Sequence, residues 1–286
     1  MSPLPSPLPS PVFLDVGGVR TRCVIAGDGP PVLLLHGIGR SLEDWSESVG
    51  PLSRGYRVYA LDLIGFGYSD KPDVPYSLAG LARFAAHFLD AAGETRPVTL
   101  IGHSLGGAVA QRFAVQFPER TRALVLVSSA GFGPEVALSL RALSLRGVGE
   151  VLLRPSARTA RQTVRSLFRD PAFVTEERVR QALELARQPG AARAFLRMLR
   201  DLGGWRGVKG AWREDLAARL ADQQTPTLLV WGDRDLILPA QHLDAARRQH
   251  PHAHFHLFEG TGHVPQLERA DAFNRLALDF LQEVSA

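Results

Sequence analysis

Short runs of apolar and β-branched residues alternate along this chain with longer stretches whose apolar positions recur every three or four residues. The short runs read as strands and the longer ones as amphipathic helices. Strands are predicted at residues 12–16, 19–26, 32–36, 57–61, 98–101, 123–128, 227–231 and 254–258. The first two, joined by Gly17-Gly18, fit an antiparallel hairpin. Helices are predicted at 78–91, 105–117, 240–248 and 270–284. Strand and helix in this order predict an α/β fold, with a mostly parallel, twisted sheet flanked by helices.

The alternation stops after Gly131-Phe132-Gly133-Pro134 and resumes at Thr225-Pro226-Thr227. Between them the pattern is helical only, as in Leu138, Leu140 and Leu143, or Phe195, Leu196 and Leu199. An all-helical block between two strands of one sheet is expected to be an inserted cap, here residues 134–221, on a core formed by 12–133 and 222–286. Its inner face is expected to supply apolar walls, with the helical leucines, Phe195, Trp205 and Trp212 as candidates. Residues 1–11 carry prolines at every odd position from 3 to 11 and predict an extended tail.

Composition narrows the class. Hydrophobic residues make up 45% of the 286 and charged residues 22%, enough apolar material for a core without staples. The lone Cys23 sits in a predicted strand and cannot form an intrachain bridge. No apolar stretch approaches the roughly 18–20 residues that span a bilayer, and the proline-rich start does not resemble a signal peptide. A cytoplasmic protein without membrane partners is therefore expected. The formal charge is +4, but residues 134–221 hold seventeen basic against nine acidic side chains, a local +8. No nucleic-acid motif accompanies this excess, which reads as a solvated helical surface rather than a nucleic-acid site. His250, His252, His254 and His256 alternate on a predicted strand, where same-face neighbours stand about 7 Å apart, too far for one compact metal site. No metal or cofactor is expected.

The chemistry concentrates around Gly102-His103-Ser104-Leu105-Gly106, a G-x-S-x-G run between a predicted strand and a predicted helix. A serine on such a turn needs small neighbours, projects its hydroxyl above the sheet edge and has helix N–H groups beneath it. Ser104 is the candidate nucleophile; the alternative is a serine capping a helix in a glycine-rich turn. A serine hydroxyl needs a base. Among nine histidines, His263 in the glycine-rich loop after the last strand is the candidate. His36 reads as a loop brace, and His103 is expected to point away from the hydroxyl. Asp235, in Gly232-Asp233-Arg234-Asp235 at a strand's carboxyl end, is the candidate acid, whereas Asp233 is expected to satisfy turn N–H groups. The backbone N–H groups of Ile38 and Leu105 are the expected oxyanion donors.

With these pieces in place the chain resembles the α/β-hydrolase superfamily, in its capped branch, from about residue 12 onward. The resemblance rests on His36-Gly37-Ile38-Gly39, on Asp62-Leu63-Ile64-Gly65-Phe66-Gly67-Tyr68-Ser69, on the Ser104 elbow, and on Gly232-Asp233-Arg234-Asp235 with Gly262-His263. It implies a Ser104–His263–Asp235 triad acting on a small-molecule acyl substrate, with Asp62 and its glycine turn structural. A serine at 104 sets aside the branches with an aspartate nucleophile. Within the superfamily the chain is similar to carboxylesterases and to hydrolases that split carbon–carbon bonds of ring-cleavage products. His103 stands where the latter are expected to carry asparagine, and the loop at Gly37–Arg40 is shorter in glycine. The resemblance therefore implies ester hydrolysis first, then C–C hydrolysis or acyl transfer. A ligand-binding protein that kept the triad is the alternative outside enzymes.

Overall fold

The computed structural model describes residues 8–221 and 223–285. Most of the predicted proline-rich tail, residues 1–7, lies outside the described residues. The chain opens with β1 (Val12–Val16), β2 (Val19–Ala26), β3 (Pro31–Leu35), α1 (Ser46–Leu52), β4 (Arg57–Leu61), α2 (Leu78–Ala91), β5 (Val98–His103), α3 (Leu105–Gln116) and β6 (Thr121–Val127). A long insertion follows, with α4 (Leu138–Leu143), α5 (Val148–Leu152), α6 (Ala157–Leu167), α7 (Glu176–Arg187), α8 (Ala191–Leu202), β7 (Gly203–Gly204), β8 (Gly207–Val208) and α9 (Gly210–Ala221). The chain closes with β9 (Thr227–Gly232), α10 (Gln241–Gln249), β10 (His254–Phe258), α11 (Pro265–Glu268) and α12 (Ala270–Glu283).

Eight strands form one sheet in the order β1-β2-β4-β3-β5-β6-β9-β10. β2 runs antiparallel to β1 and β4, and every other neighbour pair is parallel. The central strands β3, β5 and β9 are buried along their whole length, which explains their unbroken apolar runs. α2, α3, α9 and α10 contribute to the core on one face of the sheet, and α1 and α12 to the core on the other. Strand order reverses around β3, with β4 on one side and β5 on the other. The carboxyl ends of β3 and β5 therefore flank the crevice where open α/β sheets bind ligands.

The α/β fold is as the sequence predicts. Two helices escaped the pattern, α1 and α11, because each is short and contains proline. The stretch from 134 to 221 also differs in two details from a purely helical block. Gly203-Gly204 and Gly207-Val208 make a short antiparallel pair. α9, at the end of that stretch, packs on α3 through the Arg112–Asp215 ion pair (2.8 Å) and adds Leu220 to the main core. Its packing is that of a helix flanking the sheet. α6 and α7 build a separate apolar cluster with Val264 and Leu267, directly beyond His263.

Candidate active site

Ser104 occupies the turn between β5 and α3 with φ 54° and ψ −114°, a conformation a non-glycine residue adopts only under constraint. The constraint is visible in its bonds: the Ser104 N–H donates to Val127 O (2.9 Å), and its carbonyl accepts from Gly107 and Ala130. The turn tolerates no larger neighbour. A Cβ on Gly106 would stand 2.1 Å from Leu35 O, and one on Gly102 2.3 Å from Gly106 O. These contacts give the G-x-S-x-G spacing its physical reason, since α3 must start against β3.

Asp235 follows β9 and is held by two N–H groups on one oxygen, from Ile237 (2.8 Å) and Leu238 (2.9 Å). Its other oxygen accepts from His263 Nδ1 at 2.7 Å, with both side chains buried. A proton held on Nδ1 leaves Nε2 free to accept. Asp233 does not take the turn N–H groups as expected, since Asp235 holds them; its Oδ1 accepts from the Thr261 N–H (3.1 Å) and braces the loop that carries the histidine.

Ser104 and His263 open on one cavity of about 600 Å³. Its floor comes from the sheet edge, including Ile38 and Phe66, and its walls from the insertion, including Leu143, Leu185 and Phe195. A second cavity of about 50 Å³ also reaches Ser104 and Leu105 and is walled by Leu199, Leu202 and Trp212. Trp205 does not line either cavity; it is half-exposed with the Arg141 guanidinium over its ring.

Residues 30–270 match the family described as alpha/beta hydrolase fold. This chain belongs to that family. Among its relatives is a 2-hydroxy-6-oxo-6-phenylhexa-2,4-dienoate hydrolase from Comamonas testosteroni, 33% identical over 265 residues, which are 90% of each chain. The dihydrolipoyllysine-residue acetyltransferase component of an acetoin cleaving system from Cupriavidus necator is 35% identical over 266 residues, 92% of this chain and 67% of that one. A solved meta-cleavage product hydrolase from Pseudomonas fluorescens IP01 superimposes with a TM-score of 0.81 at 26% identity, covering 95% of this chain and 97% of that one.

Two backbone N–H groups of this α/β-hydrolase lie in the segments that meet at the serine. The Leu105 N–H opens α3 and has no intrahelical acceptor, as at any helix start. Ile38 lies in the loop after β3 and lines both cavities with Ser104. Among the described residues neither N–H donates to another group. His36 braces that loop, donating from Nδ1 to Gly37 O (2.7 Å) and accepting the Leu63 N–H on Nε2 (3.0 Å).

His103, expected only to point away from the Ser104 hydroxyl, packs against His263. Its ring centroid lies 4.7 Å from that of His263, and its Nε2–H donates to the His263 carbonyl (2.9 Å). Burial pushes its pKa down, against the opposing effect of Asp44. Asp44 Oδ2 stands 3.8 Å from His103 Nδ1, and its Oδ1 accepts from Arg40 Nε (2.9 Å). Burial alone would raise the Asp44 carboxyl, but Arg40 and His103 outweigh it and hold it far below the usual range. Arg40, Asp44 and His103 thus connect the loop after β3 to the Ser104 turn and to His263. Glu268 is the other residue the sequence did not signal. It is buried, takes the N–H groups of Gly262 (2.7 Å), Asp170 (2.7 Å) and Arg169 (3.3 Å), and ties the histidine loop to the insertion. The only local trace of either role is the position of His103 beside the serine.

Proposed function

We propose that this protein is a serine hydrolase that cleaves neutral carboxylic esters of small-molecule acyl substrates through an acyl-enzyme. The observation that carries the reading is the buried 2.7 Å bond from His263 to Asp235, beside a strained Ser104 that shares one cavity with that histidine. In the reaction, Ser104 Oγ bonds to the ester carbonyl carbon as its proton passes to His263 Nε2. The Ile38 and Leu105 N–H groups take the negative charge that develops on the carbonyl oxygen. The carbon–oxygen bond to the alcohol then breaks, and the alcohol leaves with the proton from His263. Water, deprotonated by His263, releases the acid and restores the serine. Asp235 keeps the ring in the tautomer that accepts on Nε2 and stabilises the imidazolium.

The relatives' names favour a second reading, hydrolysis of a carbon–carbon bond in a dienoate, and the acetyltransferase relative favours transfer to another acceptor. The cavity supports the ester reading over the dienoate. A dienoate carries a carboxylate, whose burial requires a cation to pair with it. Of the two cations that line the large cavity, Arg40 pairs with Asp44, and Lys71 Nζ uses two of its three N–H groups on Gly67 O and Ser69 O, both at 2.8 Å, which leaves one ammonium N–H and no free guanidinium for a buried carboxylate. Kinetics on p-nitrophenyl esters of increasing chain length, beside a ring-cleavage dienoate, test the choice. The ester panel is expected to give the higher kcat/KM, and a dienoate preference of tenfold or more would reverse it.

A further inference from the structure

The outer surface of the insertion carries apolar side chains that nothing in the chain covers. Leu138 in α4 is 64% exposed, and Val148, Val151 and Leu152 in α5 are 41%, 57% and 51% exposed, with Leu145 between the helices at 39%. α5 turns its buried Gly149 inward, where a Cβ would meet Leu143 O at 2.2 Å and Leu196 of α8 at 2.7 Å. Val148 and Val151 consequently face away from the body, and Leu152 lies at the edge between that side and the cavity. α4 and α5 pack on each other, so these side chains share one side of the insertion. Leu152 and Ser139 also line the 600 Å³ cavity, which puts the patch at its mouth. Exposed apolar clusters of this kind mark contact surfaces, not ordinary solvated helices.

Charge selects the occupant. Residues 137–166 contain Arg141, Arg146, Arg154, Arg158, Arg161 and Arg165 against one acid, Glu150, which is paired with Arg200 (2.8 Å). Among the described residues Arg146, Arg154 and Arg158 form no ion pair, and all three are exposed beside the apolar side chains. Trp205, half-exposed under the Arg141 guanidinium, adds an aromatic of the type that sits at headgroup level. A second copy packed face to face on this patch would bring the same excess of arginine and be repelled. An anionic surface with an apolar interior answers both features.

We propose that the α4–α5 face docks on anionic phospholipid bilayers, the apolar side chains entering the acyl boundary and the arginines engaging headgroup phosphates. This differs from the expectation, drawn from the lack of any long apolar run, that the protein has no membrane partner; that lack argues only against a spanning helix. Docking would place the cavity mouth at the bilayer, and the corollary that membrane-partitioned esters enter there rests on the ester reading above. The docking itself does not.

The test is co-sedimentation of the full chain with phosphatidylcholine vesicles, with and without phosphatidylglycerol, at low and high salt. Binding is expected only to the anionic vesicles and is expected to weaken with salt. Val148→Glu/Val151→Glu is expected to weaken it at least tenfold. Arg146→Gln/Arg154→Gln/Arg158→Gln is expected to weaken it on the order of 10²-fold. None of these residues lines a cavity, so kcat/KM for a short soluble ester should be unchanged in both variants, and Ser104→Ala should bind vesicles like the parent. Absence of vesicle binding, or equal binding to neutral vesicles, would overturn the proposal. So would a dimer seen by light scattering that Val148→Glu/Val151→Glu dissociates, since a second copy would then cover the face. Vesicle binding without turnover of any ester would leave the docking standing and sink the ester reading instead.

Discussion

The two oxygens of Asp235 have separate tasks, one held by the Ile237 and Leu238 N–H groups and the other aimed at His263. Asp235→Asn keeps the size but puts an amide where the histidine needs an acceptor. Steady-state kinetics should show kcat reduced by about 10⁴, with an unchanged circular dichroism spectrum. Asp233→Ala removes the acceptor for the Thr261 N–H and an ion pair with the exposed Arg234, and should lower stability by about 1 kcal/mol while kcat stays within tenfold. Reversal of the two effects in paired melts and assays would exchange the residues' roles. The acid was legible in the sequence from its place after a strand, but the task of Asp233 was not, because the turn N–H groups go to Asp235 and Asp233 instead accepts from Thr261, 28 positions away. Nor was that of His103. Its role depends on the carbonyl of His263, 160 positions away, and no local pattern encodes a contact of that separation.

At the level of elements, the nucleophile turn and the sheet were the most readable parts. β3, β5 and β9 are apolar because they are buried on both faces, and the glycines of the turn follow from contacts within β3 and α3. The cavity was less readable. Periodicity marks α4, α6, α7 and α8 as amphipathic but not which apolar side faces Ser104, so Phe195 and Trp212 line the cavities and Trp205 does not. The junction of insertion and core was not readable at all. A buried Glu268 serves three backbone N–H groups from α11, and a Cβ on Gly262 would stand 2.5 Å from Leu167 O. Glu268→Ala leaves those donors without a partner and should cost about 2–3 kcal/mol. Because two of the donors belong to the insertion and one to the histidine loop, kcat should fall as well. A melt that shifts with full retention of kcat would show that Glu268 serves the fold alone.

For the whole molecule, acid stability should follow its depressed carboxylates. Hydrogen bonds from Arg96, opposed by burial and helped by the Arg96 N–H and the Tyr59 hydroxyl, bring Glu94 down to about 2 from the ordinary 4.5. Asp44 is depressed further. A carboxyl whose folded pKa lies below its unfolded value stabilises fully above the unfolded value, and that stability is lost as pH falls through the folded one. Denaturant melts between pH 5 and 2 should therefore show declining stability. In Glu94→Gln the decline should be shallower by about 1–3 kcal/mol, with the loss already present at pH 7; a variant with the same slope as the parent would remove Glu94 from this account. On the proposed reaction Ser104 carries the acyl group, which rapid-quench mixing with p-nitrophenyl butyrate followed by peptide mass spectrometry can observe. A burst of about one nitrophenolate per chain is expected, with a butyryl adduct on the peptide containing Ser104 and both lost in Ser104→Ala; turnover with no adduct on that serine, or with the adduct elsewhere, would exclude the acyl-enzyme at Ser104.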